Sequence, residues 1–186
     1  MLGVEVKSYS EKYLAERAVE KIRTVKGVAN ELEVELTSIY KRDGAEIVKS
    51  ALNALKWTFL VPRDRIKIVV EKGRLTLSSD VEYNYQKERA EEAVEGLYGV
   101  TSITNNIKII PNLSIRPSLS EVKEKIIKEF ERNARIDANN IQVKVDGSKI
   151  ILKGSVKNFD EERKAKSAAW ATPGVSSVID ELKISW

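Results

Sequence analysis

Two periods of apolar residues follow one another along this chain, and their order returns. Ile47, Ala51, Leu52 and Leu55 recur at helical spacing, which predicts a helix with one buried face. Ile66, Ile68 and Val70 then interleave with polar residues, and Leu75 and Leu77 continue the alternation, which predicts two strands of a sheet buried on one side. Gly73 supplies the tight reversal between them. A second helical stretch follows, with a small inner face of Ala90, Ala93, Val94 and Leu97 that lets a helix approach a sheet closely. Gly99 and Val100 end it and launch a third strand.

Sliding the chain by 75 residues repeats this pattern without a gap. Ile66, Ile68 and Val70 fall on Ile141, Val143 and Val145; Leu77 and Val81 fall on Leu152 and Val156. Ala90 and Ala93 fall on Ala165 and Ala168, and Gly99-Val100 falls on Gly174-Val175. Ile47, Ala51, Leu52 and Leu55 fall on Val122, Ile126, Ile127 and Phe130. A third copy opens the chain: Leu2, Val4 and Val6 fall on Leu77, Ser79 and Val81, and Leu32 and Val34 on Ile107 and Ile109. That copy lacks the first helix and strand of the unit, and its Gly27-Val28 pair sits three residues late.

The fold class expected is therefore α+β: tandem αββαβ modules, each a small three-stranded mixed sheet with two helices on one face. A partial strand–helix–strand module spans 1–37, and full modules span 43–111 and 117–186. The strand–helix–strand crossover sets the second and third strands parallel. The pattern leaves the strand order open between 1-2-3 and 2-1-3. Capping-box spacings at Asp43/Glu46 and Ser118/Glu121 mark the first helices. Ser8/Glu11 and Asn158/Glu161 mark the second helices, with a poorer Tyr83/Gln86 cap in the middle copy. Asp146-Gly147 and Gly154 are the turn and strand glycines of the last copy, and Pro111 and Pro117 bracket its linker.

Composition narrows the chemistry. The 186 residues contain no Cys and no His, which removes disulfides, thiolate and imidazole metal sites and every His-based catalytic arrangement. Net charge is +4, with the signs interspersed. No apolar run reaches the length of a membrane span. Residues 1–20 carry Glu5, Lys7, Glu11, Lys12, Glu16 and Arg17, unlike a signal peptide; a chain beginning there stays in the cytoplasm, and an export signal ahead of it would send it to the periplasm. Carboxylate pairs such as Glu91/Glu95 and Glu161/Glu162 are expected to face solvent, with no cause for a raised pKa. No cofactor is called for, and the chain reads as a non-enzyme.

Several stretches resemble the BON-domain (OsmY-like) family: the strand–turn–strand Ile66 to Val81, Gln86-Lys87-Glu88-Arg89-Ala90, and Gly99-Val100 leading to Asn105 and Ile107. Leu152-Lys153-Gly154-Ser155-Val156, Pro173-Gly174-Val175 and Val178 add to the resemblance. Ser79 departs from it, standing where the family usually has a second-strand glycine. The resemblance implies binding rather than chemistry: osmotic and envelope stress, and attachment to phospholipid surfaces or envelope proteins.

Lys56, Trp57, Phe59, Leu60, Arg63, Arg65 and Lys67 form the candidate membrane or ligand site. Amphipathic aromatics beside cations suit the headgroup region of an anionic bilayer. The same aromatics would equally plug the open end of the sandwich or pack on a neighbouring module. The last copy has no aromatic in the matching stretch, so a lipid contact belongs to the middle one. Tyr83, Tyr85 and Trp170 beside basic residues could stack on bases, but Glu88, Glu91, Glu92 and Glu95 make the middle copy's second helix acidic, which argues against nucleic acid. The incomplete first module leaves an edge and an apolar face that would recruit a partner or another copy.

Overall fold

Asp43 opens the first full helix by accepting the Glu46 N–H at 2.7 Å, and Glu46 returns a carboxylate to the Asp43 N–H. Ser118 and Glu121 make the same reciprocal pair. These bonds satisfy N–H groups that a helix cannot satisfy itself and set where each one begins. The computed structural model describes residues 5–22, 25, 27–112, 118–133 and 136–185. Among them are five α-helices and small mixed sheets. Leu2, Val4, Pro117 and the stretch Ala134-Arg135 lie outside the described residues. The chain divides into two compact units, Met1–Arg17 with Ala29–Ile110, and Ala18–Val28 with Pro111–Trp186.

In the first unit β1 (Glu5–Val6), α1 (Tyr9–Glu20, shared with the second unit) and β2 (Glu33–Val34) precede α2 (Gly44–Trp57), β3 (Lys67–Glu71) and β4 (Arg74–Ser78). Then come β5 (Asp80–Val81), α3 (Asn84–Glu95), β6 (Ser102–Asn105) and β7 (Lys108–Ile109). The sheet order is β3-β4-β6, with β3 antiparallel and β6 parallel to β4. The hairpin uses one edge of the second strand and the crossover through α3 takes the other, so the second strand is central. Leu75 and Leu77 from it and Val81 of β5 meet Ile47, Ala51 and Leu55 of α2 and Ala90 and Val94 of α3 in one core.

The second unit holds α4 (Leu119–Arg132), β8 (Ile141–Asp146), β9 (Lys149–Val156), α5 (Phe159–Trp170) and β10 (Ser177–Ile184), in sheet order β10-β9-β8. Ile126, Phe130, Ile150, Leu152, Ala165 and Ala169 are fully buried in its core. Parallel partners are 28 residues apart wherever a copy forms the pair: Val6 opposite Val34, Leu75 opposite Ile103, Ile150 opposite Val178. One side-chain device recurs with that register. Asn105 donates to the Lys87 carbonyl and to Glu91 while accepting the Ile107 N–H; Asn30 does the same with Lys12, Glu16 and Leu32. In the last copy Asp180 accepts the Leu182 N–H, and Lys166 bridges it to Glu162 at 3.0 and 2.8 Å. Burial opposes the Asp180 charge, but the Leu182 N–H and the Lys166 ammonium outweigh it and hold its carboxyl below the usual aspartate range.

The five glycines singled out in the sequence, Gly73, Gly99, Gly147, Gly154 and Gly174, all have positive φ. Two of their expected roles change. Asp146 pairs with Lys149, so the last hairpin turns on Gly147-Ser148 rather than on Asp146-Gly147. Only Gly147 of those two has positive φ, the II′ combination. α3 ends at Glu95 and is capped by Gly96; Gly99 is the corner after it, lying against Arg42 and Ile47 rather than terminating the helix. In the middle hairpin Lys72 and Gly73 both have positive φ, the I′ combination, which disfavours a long side chain at the first position. Replacing Lys72 by Asn should stabilise this unit by about 0.5 kcal/mol, read as a raised urea midpoint.

Candidate functional site: an exposed aromatic loop after α2

α2 runs out at Trp57, and the chain must then return to start β3. Thr58 caps the turn, its N–H reaching the Leu55 carbonyl and its hydroxyl the Ala54 carbonyl at 2.9 Å. Leu60 takes φ +66°, a left-handed conformation that costs a leucine roughly 1 kcal/mol. That bend drives Val61 into the core and leaves the three residues' side chains outside: Trp57 is 84% exposed, Phe59 83% and Leu60 56%. The plug expected as the alternative is therefore absent within this unit, where Val61 and Ile66 do that work.

The cations lie along the return path. Arg63 donates to the Lys56 carbonyl at 3.3 Å, closing the loop on itself, and its Nε sits 3.8 Å from Asp64. Arg65 ends a short 3-10 turn, and Lys67 is the exposed first residue of β3. Lys56 and Trp57, the last residues of α2, thus adjoin Phe59, Leu60 and Arg63 at one turn, whereas Arg65 and Lys67 lead away from it.

The residue that anchors this loop lies outside it in sequence. Gln86, three residues into α3 from its cap, accepts the Glu82 and Tyr83 N–H groups at 3.0 and 3.1 Å. Its amide nitrogen donates to the Leu60 carbonyl at 3.0 Å. The Tyr83 side chain makes no cap hydrogen bond; its ring stacks on Tyr85, centroids 5.4 Å apart and planes 17° from parallel. Both tyrosines are exposed, so the start of α3, tied to the Leu60 carbonyl through Gln86, carries two further aromatics. The signal was present in the repeat: Gln86 aligns with Glu161, and Pro62 aligns with Asp137.

In the last module the matching position is closed. Glu161, 2% exposed, accepts the Asp137 N–H at 2.7 Å and the Lys157 N–H at 2.6 Å. Trp170 is partly buried against that core and does not form a stacking surface. The expectation that Glu161/Glu162 and Glu91/Glu95 face solvent is overturned. Glu161 is a buried cap, and Glu162 is held by Lys166. Burial, then Glu91 and Glu92, push the Glu95 carboxyl up, and Glu91 is bonded to Asn105. These carboxylates serve the repeat's internal contacts.

A family model described as "BON domain" matches residues 43–111 and 118–185. Osmotically-inducible protein Y of Escherichia coli (strain K12) is 27% identical over 147 residues, 72% of this chain and 71% of that protein. Among solved structures, the C-terminal domain of CdsD, a structural protein of the Chlamydia trachomatis type III secretion system, is similar at 13% identity and a TM-score of 0.32. The alignment covers 78% of this chain and all of that one, and at such a score it carries no weight. The family model accounts for both full copies of the repeat, and the chain belongs to the BON-domain family.

Proposed function

We propose that this chain is a non-catalytic binding protein of osmotic stress that contacts anionic phospholipid through the aromatic loop of its middle module. The observation that carries it is the outward placement of Trp57, Phe59 and Leu60, flanked by Lys56 and Arg63. Apolar side chains held in water by a bent backbone gain free energy by entering the acyl boundary, and the cations gain from anionic headgroups. The relative's name supplies the link to osmotic stress. The reading takes the chain as three modules, a partial one at 1–37 and full ones at 43–111 and 117–186, with the loop unique to the second.

Co-sedimentation with vesicles of phosphatidylglycerol and of phosphatidylcholine tests it. Trp57→Ser with Phe59→Ser should lower partition onto phosphatidylglycerol at least about tenfold, two interfacial aromatics being lost. Unchanged partition in the double variant, or none by the intact chain to either vesicle, ends the proposal.

A second reading, a protein-interaction scaffold that self-associates or binds a partner through the incomplete first module, is favoured by one observation. Among the described residues β1 pairs only with β2, in a two-stranded sheet, and Leu14 of α1 is 61% exposed. Light scattering that gives the monomer mass at every concentration removes self-association.

A further inference from the structure

We infer that Gln86 is the positioning residue of the lipid-contacting loop, holding Leu60 in its left-handed bend. The inference rests on the lipid reading only for its consequence at a membrane. Helices at this place in the repeat begin with a side chain that turns back over the start. Glu11 accepts the Lys7 N–H at 2.8 Å, and Glu161 accepts those of Lys157 and Asp137. A carboxylate can only accept, and in the last module two N–H groups converge on it. In the middle module the residue aligned with Asp137 is Pro62, which has no N–H to offer. What faces the side chain there is the Leu60 carbonyl, an acceptor, and Gln86 meets it with the one group a carboxylate lacks.

The amide therefore does two separable things. Its oxygen caps α3, and its nitrogen ties down the loop. Gln86→Glu keeps the first and loses the second. The carboxylate still accepts from Glu82 and Tyr83 at a helix N-terminus, where negative charge is favourable, but opposes an oxygen to the Leu60 carbonyl. A protonated carboxyl regains a donor, so the tie returns in acid.

The test uses the full chain with Trp170→Phe and Trp186→Phe, leaving Trp57 as the reporter, with and without Gln86→Glu. Without lipid at neutral pH, Gln86→Glu should lower Trp57 anisotropy while leaving the thermal midpoint unchanged. Below the carboxyl's pKa the anisotropy should recover, and the Gln86 chain should show no such pH dependence. Partition onto phosphatidylglycerol vesicles should fall about fivefold to tenfold at neutral pH, the worth of one hydrogen bond in placing the loop. Gln86→Ala, which removes cap and tie together, should lower both anisotropy and midpoint at every pH. Unaltered anisotropy in Gln86→Glu at neutral pH overturns the inference, as does a midpoint lowered as far as in Gln86→Ala. Intact chain that ignores vesicles sinks the lipid reading alone, since the lipid-free anisotropy still decides the role of Gln86.

Discussion

Gly154→Ala is expected to destabilise the last module by about 3–5 kcal/mol, most of the stability of a domain this size. Gly154 has φ +123°, outside the range that an L side chain tolerates, and a Cβ there would collide with the Asn140 carbonyl oxygen. The carbonyl is backbone and the backbone fixes where a Cβ must stand, so neither can swing away, and strain adds to overlap. Hydrogen exchange should report the loss: amides of β8, β9 and β10 should lose protection while those of β3 and β4 keep theirs. Protection of β9 that survives the substitution would mean that the strand relaxes around a side chain, and would sink the prediction.

The BON domain at 43–111 displays what happens without that glycine. Ser79 stands at the aligned position, and the central strand is broken there into β4 and β5, whereas β9 runs unbroken through Gly154. Ile141 pairs with Gly154, but the middle hairpin begins only at Lys67 opposite Ser78. The pair lost is the one next to the 3-10 turn that closes the aromatic loop. Asn106 and Lys108 still bond to the Leu77 and Ser79 carbonyls, so the parallel side survives the break. A shorter first strand leaves the loop end of this module without the ladder bond that its counterpart has.

Helices and strands were legible because burial imposes its period directly on the sequence: Ile47, Ala51, Leu52 and Leu55 read as one face, and all but Leu52, which is 51% exposed, are buried. Strand order was not, because periodicity says which face is inside but nothing about which edge a neighbour takes. The exposure of Trp57 and Phe59 was equally hidden. An aromatic after a helix reads the same whether it turns in or out, and here the direction is set by one left-handed residue, Leu60, and the burial of Val61. The clamp of Asn105 and Glu91 also escaped notice, since its last-module counterpart exchanges both residue types, to Asp180 and Lys166, while keeping the attraction.

Glu161→Gln should cost about 2–3 kcal/mol, although it is the least disruptive change in size and aligns the residue with its middle-module counterpart. The carboxylate takes one N–H on each oxygen, from Asp137 and from Lys157, in a site closed to water. An amide has a single oxygen; whichever way it turns, its NH2 meets one of those N–H groups and leaves it buried without an acceptor. The favourable placement of negative charge at the start of α5 is lost as well. The reverse change, Gln86→Glu, is expected to be close to neutral for stability, because negative charge at the start of α3 offsets the lost loop tie. One pair of near-isosteric residues thus carries opposite consequences, decided by whether the chain offers an N–H at Asp137 or a proline at Pro62. Urea unfolding of the two variants side by side measures the asymmetry. Equal costs for both, or a loss below about 0.5 kcal/mol for Glu161→Gln, would show that the facing backbone groups do not set the choice.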